Sequence, residues 1–232
     1  PGRLPENPRE MITASQRVLR NTLATYACSF LSAILAAFTG RWMLGALGTN
    51  DFGLYSLIGS LLFFAAATNA VLSGSASRHF AYAIGGAPDD VGRWFNAALG
   101  LQLGAALLLV AAGWPLGEYI LARFLTVPAD RLPACLWAFR ALLAAACVGM
   151  VSLPFQAMFA ARQRMAEPAL WTAGAALLVF LLAARLDRLA ADRLIVFAAG
   201  TAVITSVLRL AQVGRVLTIF PECRICPGYW RD

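Results

Sequence analysis

Two long stretches without a charged residue lie in the first third of the chain, and they limit what it can fold into. Residues 21–40 form a charge-free run of 20 residues, and residues 52–77 form another of 26. Because a helix rises about 1.5 Å per residue, about 20 apolar residues cross the roughly 30 Å hydrocarbon core of a bilayer. Each run is therefore long enough to span a membrane. Gly45, Gly48 and Asn50 lie between the runs and predict a tight turn that makes them a helical hairpin.

The composition of the whole chain agrees with a membrane protein. Of the 232 residues, 60% are hydrophobic and 13% are charged, whereas charged residues make up about 25% of a typical soluble domain. The net charge of +7 comes from arginine alone, because the sequence contains no lysine. These arginines separate apolar runs and do not form a patch, so they predict contacts with lipid headgroups and no nucleic-acid partner. We therefore expect an all-α, polytopic membrane bundle.

The apolar runs predict six transmembrane helices, at residues 20–46, 52–83, 91–115, 133–161, 168–184 and 193–216. They divide the chain into a polar N-terminal segment, a six-helix region and a polar tail or linker, at residues 1–19, 20–217 and 218–232. A short helix at 119–125 is expected between the third and fourth spans, and Pro154 is expected to kink the fourth. Met11 offers an alternative start of the chain.

Six crossings place both ends of the region on the same side of the membrane. Twelve arginines then fall on the side of the N-terminus and seven on the other side. Since arginine is enriched in cytoplasmic loops, the split favours cytoplasmic N- and C-termini.

Catalytic and metal-binding patterns are missing from the sequence. We find no nucleophile elbow, phosphate-binding loop or zinc-protease motif. Cys223 and Cys226 have the spacing of metal ligands, but no second pair follows, and His79 is the only histidine. We therefore expect no enzymatic activity, no metal and no cofactor.

Arginines in or beside the apolar runs are the candidate binding residues. An arginine at the centre of a membrane helix costs about 2.5–3.5 kcal/mol on insertion scales, so such residues usually face a cavity or a partner. Arg140, Arg41 and Arg78 are the candidates, because a guanidinium binds phosphate oxygens bidentately. For each of them, contact with lipid headgroups is the alternative. Arg209 is expected to extend towards the headgroups, and the alternative is that it faces protein.

Uncharged polar residues inside the spans form a secondary group of candidates. Their default explanation is hydrogen bonding between helices. They are Asn69, Asn96, Gln102 and Gln156.

Several short stretches suggest a family. Asn21-Thr22-Leu23, Arg41 and residues 47–57, which read Leu-Gly-Thr-Asn-Asp-Phe-Gly-Leu-Tyr-Ser-Leu, resemble the opening of Wzx-type polysaccharide flippases. These belong to the superfamily that contains the MATE exporters and the lipid II flippase. Similarity continues at residues 75–80, 94–98 and 154–158, and residues 220–224 resemble the cytoplasmic segment that links the two halves of such proteins.

The resemblance implies a function. Family members have two helical lobes around a central cavity and move lipid-linked oligosaccharides across the membrane by alternating access. This chain resembles the N-terminal lobe alone, so it would be a fragment of a longer flippase, or a half-transporter that dimerises. It would lie in the bacterial inner membrane with three kinds of partner: the lipid-linked oligosaccharide, membrane lipids and a second lobe. Cavity arginines would hold the pyrophosphate of the substrate.

Two other functions are weighed against the flippase. A lobe of a MATE-type drug or cation exporter would be expected to carry acidic residues near the helix centres, and the six spans have none there. A membrane scaffold that recruits polysaccharide enzymes without transporting anything is the other alternative.

Overall fold

The computed structural model describes residues 8–86, 90–188, 191–220 and 223, and these residues are mostly helical and include no strand. Its helices are α1 (Pro8–Gly86), α2 (Val91–Leu108), α3 (Trp114–Arg123), α4 (Leu132–Ala161), α5 (Ala166–Arg185) and α6 (Arg193–Ile219). A π-helical segment, Leu109–Gly113, connects α2 to α3, and a 3-10 turn, Leu186–Arg188, follows α5. The all-α prediction is confirmed for the described part of the chain.

Helix α1 is interrupted at Gly48. The backbone there has φ 77° and ψ 174°, a region that glycine adopts and other residues almost never do. We call residues 8–47 the first arm of α1 and residues 49–86 its second arm. Gly45 and Asn50, which were also expected to supply the turn, are helical.

The two arms run in opposite directions. In the first arm, Asn21 Nδ2 donates a hydrogen bond to the carbonyl oxygen of Gln163, just after α4, at 3.1 Å. In the second arm, Phe80 belongs to the same buried cluster as Phe159, in the last turn of α4. The outer ends of both arms therefore lie at one end of the bundle, and Gly48 lies at the other. We refer to these as the α4 C-terminal end and the Gly48 end.

Five helical stretches of the described residues are long and apolar enough to cross a membrane. They are Leu19–Gly86, Val91–Arg123, Leu132–Ala161, Ala166–Arg188 and Arg193–Ile219. The first of them contains the first arm from Leu19 onwards and the whole second arm, and counting the two separately would make six crossings.

The predicted end of the third helix is wrong. Helical structure continues from α2 through the π-helical segment to Arg123, where the sequence analysis placed a connector and a separate short helix at 119–125. Pro115 does not stop it because Pro115 lies in the first turn of α3, where a missing N–H is tolerated, and the π-helical turn absorbs the local change in hydrogen bonding.

Other local expectations have mixed outcomes. Residues 8–19 are helical and continue into the first arm, so the polar N-terminal segment is not separated from it by a loop. Helix α4 continues through Pro154. Asp90 occupies the N-cap position of α2, but its side chain makes no capping hydrogen bond. Residues 1–7, and residues 221–222 and 224–232 of the predicted tail, lie outside the described residues.

Three buried clusters hold the helices together. One lies at the α4 C-terminal end and includes Phe80, Phe95, Phe155, Phe159 and Phe220. A second includes Ile58, Leu121, Cys135, Phe139 and Leu194. A third joins both arms of α1 to α5 and α6 and includes Met43, Ala46, Ala183, Leu186 and Phe197.

Candidate functional site

A cavity of about 560 Å³ lies between the two arms of α1, α5 and α6. Its wall includes Met43 of the first arm, Tyr55 of the second, Trp171 of α5 and Phe197 of α6. The volume falls in the range of about 300–1,000 Å³ that is typical of small-molecule sites, which are also mostly apolar with a few polar groups. This cavity is therefore the candidate binding site.

Two polar side chains of α6 line this cavity without being satisfied by the protein. Gln212 is only 2% exposed, and its Nε2 has no hydrogen-bond partner in the described structure. Arg209 is partly buried and makes no hydrogen bond or ion pair with any described residue. Since the two are three positions apart on α6, they lie on neighbouring parts of one helix face. An unsatisfied buried donor costs about 1–3 kcal/mol, and more when it is charged, so this wall of the cavity favours a ligand that offers acceptors.

Arg209 lies well inside the apolar helix α6. Ile219, the last residue of α6, is ten positions further on, which corresponds to about 15 Å along the helix axis. The sequence predicts that this side chain extends to the headgroups or faces protein. In the structure it forms part of the cavity wall.

Arg140 is paired with a carboxylate. Its Nε donates to Glu118 Oε1 at 2.6 Å, and its guanidinium lies over the rings of Trp114 and Trp137, at 5.7 and 5.8 Å from their centroids. Glu118 also accepts a hydrogen bond from Trp114 Nε1 at 2.6 Å. The positive charge of Arg140 is therefore compensated by α3, a partner that sequence spacing did not suggest.

Arg41 and Arg78 are exposed, and neither lines the 560 Å³ cavity, although Thr39, Gly40 and Met43 around Arg41 do. None of Arg140, Arg41 and Arg78 is among the residues that line the 560 Å³ cavity. Their role in substrate binding stays a prediction.

The secondary polar candidates are also dispersed. Asn96 is buried and donates to the carbonyl oxygen of Gly92 in its own helix, at 2.8 Å. Gln156 Nε2 contacts Ser152 Oγ at 3.3 Å, again within one helix. Asn69 has a buried Oδ1 without a hydrogen-bond partner in the described structure. Gln212, which the sequence analysis did not single out, is the better placed amide.

Ion pairs tie together the loops at the Gly48 end. Arg131 donates from Nη2 to Asp51 Oδ2 at 2.6 Å and from Nη1 to Asp192 Oδ2 at 2.8 Å. Arg193 Nη1 donates to the carbonyl oxygen of Ala46 at 2.6 Å. Arg131 therefore joins the start of the second arm to the residues that precede α4 and α6. Its positive charge is paired with carboxylates of the protein itself.

No group of His, Cys, Asp and Glu side chains in the described ranges is arranged to hold a metal ion. Cys226, one half of the candidate cysteine pair, lies outside these ranges.

Helix length and apolar composition are consistent with a polytopic helical membrane protein. No protein-family model, curated protein or solved structure matches the chain.

Proposed function

We propose that this chain is one lobe of a membrane transporter that moves a lipid-linked oligosaccharide across the bacterial inner membrane by alternating access. The observation that carries the proposal is the 560 Å³ cavity with the unpaired guanidinium of Arg209 on its wall. The substrate class comes from the resemblance to Wzx-type flippases, whose substrates carry a pyrophosphate.

The chemistry of the cavity suits an anionic group. A guanidinium can donate two parallel hydrogen bonds to phosphate oxygens. A charge without a partner is costly at membrane depth, even when it is only partly buried. An incoming phosphate would remove that cost, so substrate binding is favoured by the same feature that destabilises the empty cavity.

The proposed topology has six crossings, with the two arms of α1 as separate spans and both termini in the cytoplasm. A second lobe would come from the remainder of a longer chain or from a second copy. The two lobes would rock about the cavity to expose it to either side. We assign no enzymatic activity or cofactor to this lobe.

A lobe of a cation exporter is less well supported. No carboxylate is among the described residues that line the cavity, and a cationic substrate would meet the like charge of Arg209. A scaffold for polysaccharide enzymes would need no cavity of this kind.

The test is transport by the full-length protein in proteoliposomes, with an isoprenoid pyrophosphate disaccharide as the probe. We compare Arg209→Ala and Arg209→Lys with Arg123→Ala, which removes an exposed arginine of α3. Hydrogen bonds to charged groups contribute about 1.5–3 kcal/mol, so R209A is expected to lower the affinity for the probe about 10- to 100-fold. R209K is expected to keep part of it, and R123A to match the wild type. Equal transport by R209A and R123A would reject the proposed site.

A further inference from the structure

The turn between α4 and α5 carries two arginines at the α4 C-terminal end of the bundle. Arg162 is the C-cap residue of α4, and its backbone N–H donates to the carbonyl oxygen of Met158 at 2.9 Å. The backbone N–H of Arg164 donates to the carbonyl oxygen of Phe159 at 2.8 Å. Both arginines are therefore held to the last turn of α4 by backbone hydrogen bonds. We call residues 162–164 the basic loop.

Both guanidinium groups of the basic loop lie over the same aromatic ring. The distance to the ring centroid of Phe220 is 6.0 Å for Arg162 and 5.9 Å for Arg164. The ring itself is 7% exposed and packs edge-on against Phe159, with the centroids 5.7 Å apart. Since a guanidinium within about 6 Å of a ring is attracted to its face, Phe220 positions two like charges side by side. Arg164 is exposed and Arg162 is partly buried.

The first arm of α1 adds a third arginine to the basic loop. Asn21 Nδ2 donates to the carbonyl oxygen of Gln163, in the middle of the loop, at 3.1 Å. Arg20 directly precedes Asn21 and is exposed. One tertiary hydrogen bond therefore places an arginine of the first arm beside the two arginines of the loop.

Carboxylates balance little of this positive charge. Within the described segments 16–24, 159–168 and 213–220, Glu167 is the only acidic residue. Its Oε1 accepts a hydrogen bond from Arg215 Nε at 3.1 Å, so these segments keep a net positive charge. At the Gly48 end, by contrast, Arg131 is paired with two carboxylates of the protein.

The basic loop lies where the headgroups of a bilayer would be. It follows α4 directly and contacts the residue that follows α6, and both helices are long and apolar enough to span a membrane. A guanidinium donates two hydrogen bonds to phosphate oxygens, and basic pockets between membrane helices bind anionic headgroups. A zwitterionic lipid also carries an ammonium group, which the arginines repel. The loop therefore favours a lipid with a net negative charge.

We propose that the basic loop and Arg20 form a binding site for an anionic phospholipid. The guanidinium groups of Arg162 and Arg164 donate hydrogen bonds to its phosphate oxygens, and the ring of Phe220 holds them in place. In the proposed topology the lipid belongs to the cytoplasmic leaflet. The site is separate from the 560 Å³ cavity, whose lining includes none of these residues.

The test is native mass spectrometry of the full-length protein in detergent. The probes are phosphatidylglycerol, which is anionic, and phosphatidylcholine with the same acyl chains. Charge-assisted hydrogen bonds are strong, but the site is partly solvated, so the wild type is expected to bind the first phosphatidylglycerol about 10-fold more tightly than phosphatidylcholine. Because salt screens exposed charges, this preference should shrink as the concentration of ammonium acetate is raised.

Matched variants make the result specific to the basic loop. Arg162→Gln combined with Arg164→Gln is expected to bind the two lipids equally. Arg185→Gln combined with Arg188→Gln removes the same charge from two exposed arginines at the Gly48 end and is expected to keep the preference. The single variant R164Q changes an exposed side chain and should lose part of the preference, which keeps the test valid if the double variant does not fold.

Four results would overturn the proposal. They are equal binding of the two lipids by the wild type, an unchanged preference in R164Q or in R162Q/R164Q, an equal loss in both double variants, and displacement of the lipid by inorganic phosphate, which would assign the site to the free anion. The readout is lipid binding and not transport, so the proposal stands or fails separately from the proposed function.

Discussion

Arg140 and Glu118 form an ion pair between α4 and α3, with Nε and Oε1 2.6 Å apart. The carboxylate also receives the indole N–H of Trp114. Arg140 was the strongest candidate for a cavity cation on sequence grounds, because it interrupts a long apolar run. Its charge has a partner in the folded protein, whereas that of Arg209 has none among the described residues. The two arginines should therefore respond differently to substitution.

We expect Arg140→Ala to affect stability more than transport. The sequence-based hypothesis predicts that this variant abolishes surface polysaccharide without lowering expression. Because R140A breaks the ion pair with Glu118, we instead expect a lower melting temperature and largely retained transport. Glu118→Gln removes the other partner of this ion pair and should also lower the melting temperature. Transport and thermal unfolding are measured together on R140A, E118Q and R209A. A loss of transport in R140A as large as in R209A would restore the substrate-binding role.

Gly48→Ala should destabilise the protein. Alanine has to adopt φ 77° at this position, and a side chain in such a region costs about 1–3 kcal/mol. Gly45→Ala is the matched control, since Gly45 is helical with open space where a Cβ would be added, and alanine is the better helix former by about 1 kcal/mol. Thermal unfolding in detergent should place G48A below the wild type and G45A at or above it. Similar melting temperatures for the two variants would contradict the break in α1.

Gly117→Ala should disrupt the packing of α3 on α4. A Cβ added at Gly117 would overlap the ring of Phe139, which is buried in the second cluster. Overpacking of this kind costs about 1–3 kcal/mol. Gly104→Ala is the control, because nothing lies within 4 Å of a Cβ added there. The prediction fails if chemical or thermal unfolding does not distinguish G117A from G104A.

Asp51→Asn should weaken the Gly48 end of the bundle. The Asp51 side chain is 7% exposed and pairs with Arg131, which is 38% exposed. Because one partner is partly solvated, we expect a loss of about 1–3 kcal/mol, between the values for surface and buried pairs. Asp130→Asn removes a neighbouring exposed carboxylate and should change stability little. Equal unfolding curves for D51N and D130N would show that the ion pair does not stabilise this end.

The first four of the six proposed crossings can be tested with single cysteines in a background without the five native ones. Asn50→Cys and Pro128→Cys should react with a membrane-impermeant thiol reagent from one side of the membrane. Arg20→Cys and Gln163→Cys should react from the opposite, cytoplasmic side. Protection of Asn50→Cys from both sides, or reaction of all four from the same side, would exclude the proposed topology.

The amino-acid sequence by itself determined the helices and the environment they suit. The predicted span at 133–161 differs from α4 (Leu132–Ala161) by one residue, and the span at 168–184 lies within α5 (Ala166–Arg185). The sequence also predicted that the chain reverses direction near Gly48. These features depend on run length and on the backbone preferences of single residues, and both are local. The end of the third helix was missed because Pro115 was read without the π-helical turn that accommodates it.

Only the tertiary structure decided which charges are satisfied. Glu118 and Arg140 are 22 positions apart, and Asp51 and Arg131 are 80 apart. Whether such residues meet depends on how each helix is rotated about its axis and on which helices are neighbours. Neither the rotation nor the neighbours can be predicted from one apolar segment of the sequence. The same rotation turns Arg209 into a cavity between α1, α5 and α6. The sequence therefore identifies an arginine in a membrane helix as a candidate binding residue. Its partners across the bundle determine whether it stabilises the fold or remains free for a ligand.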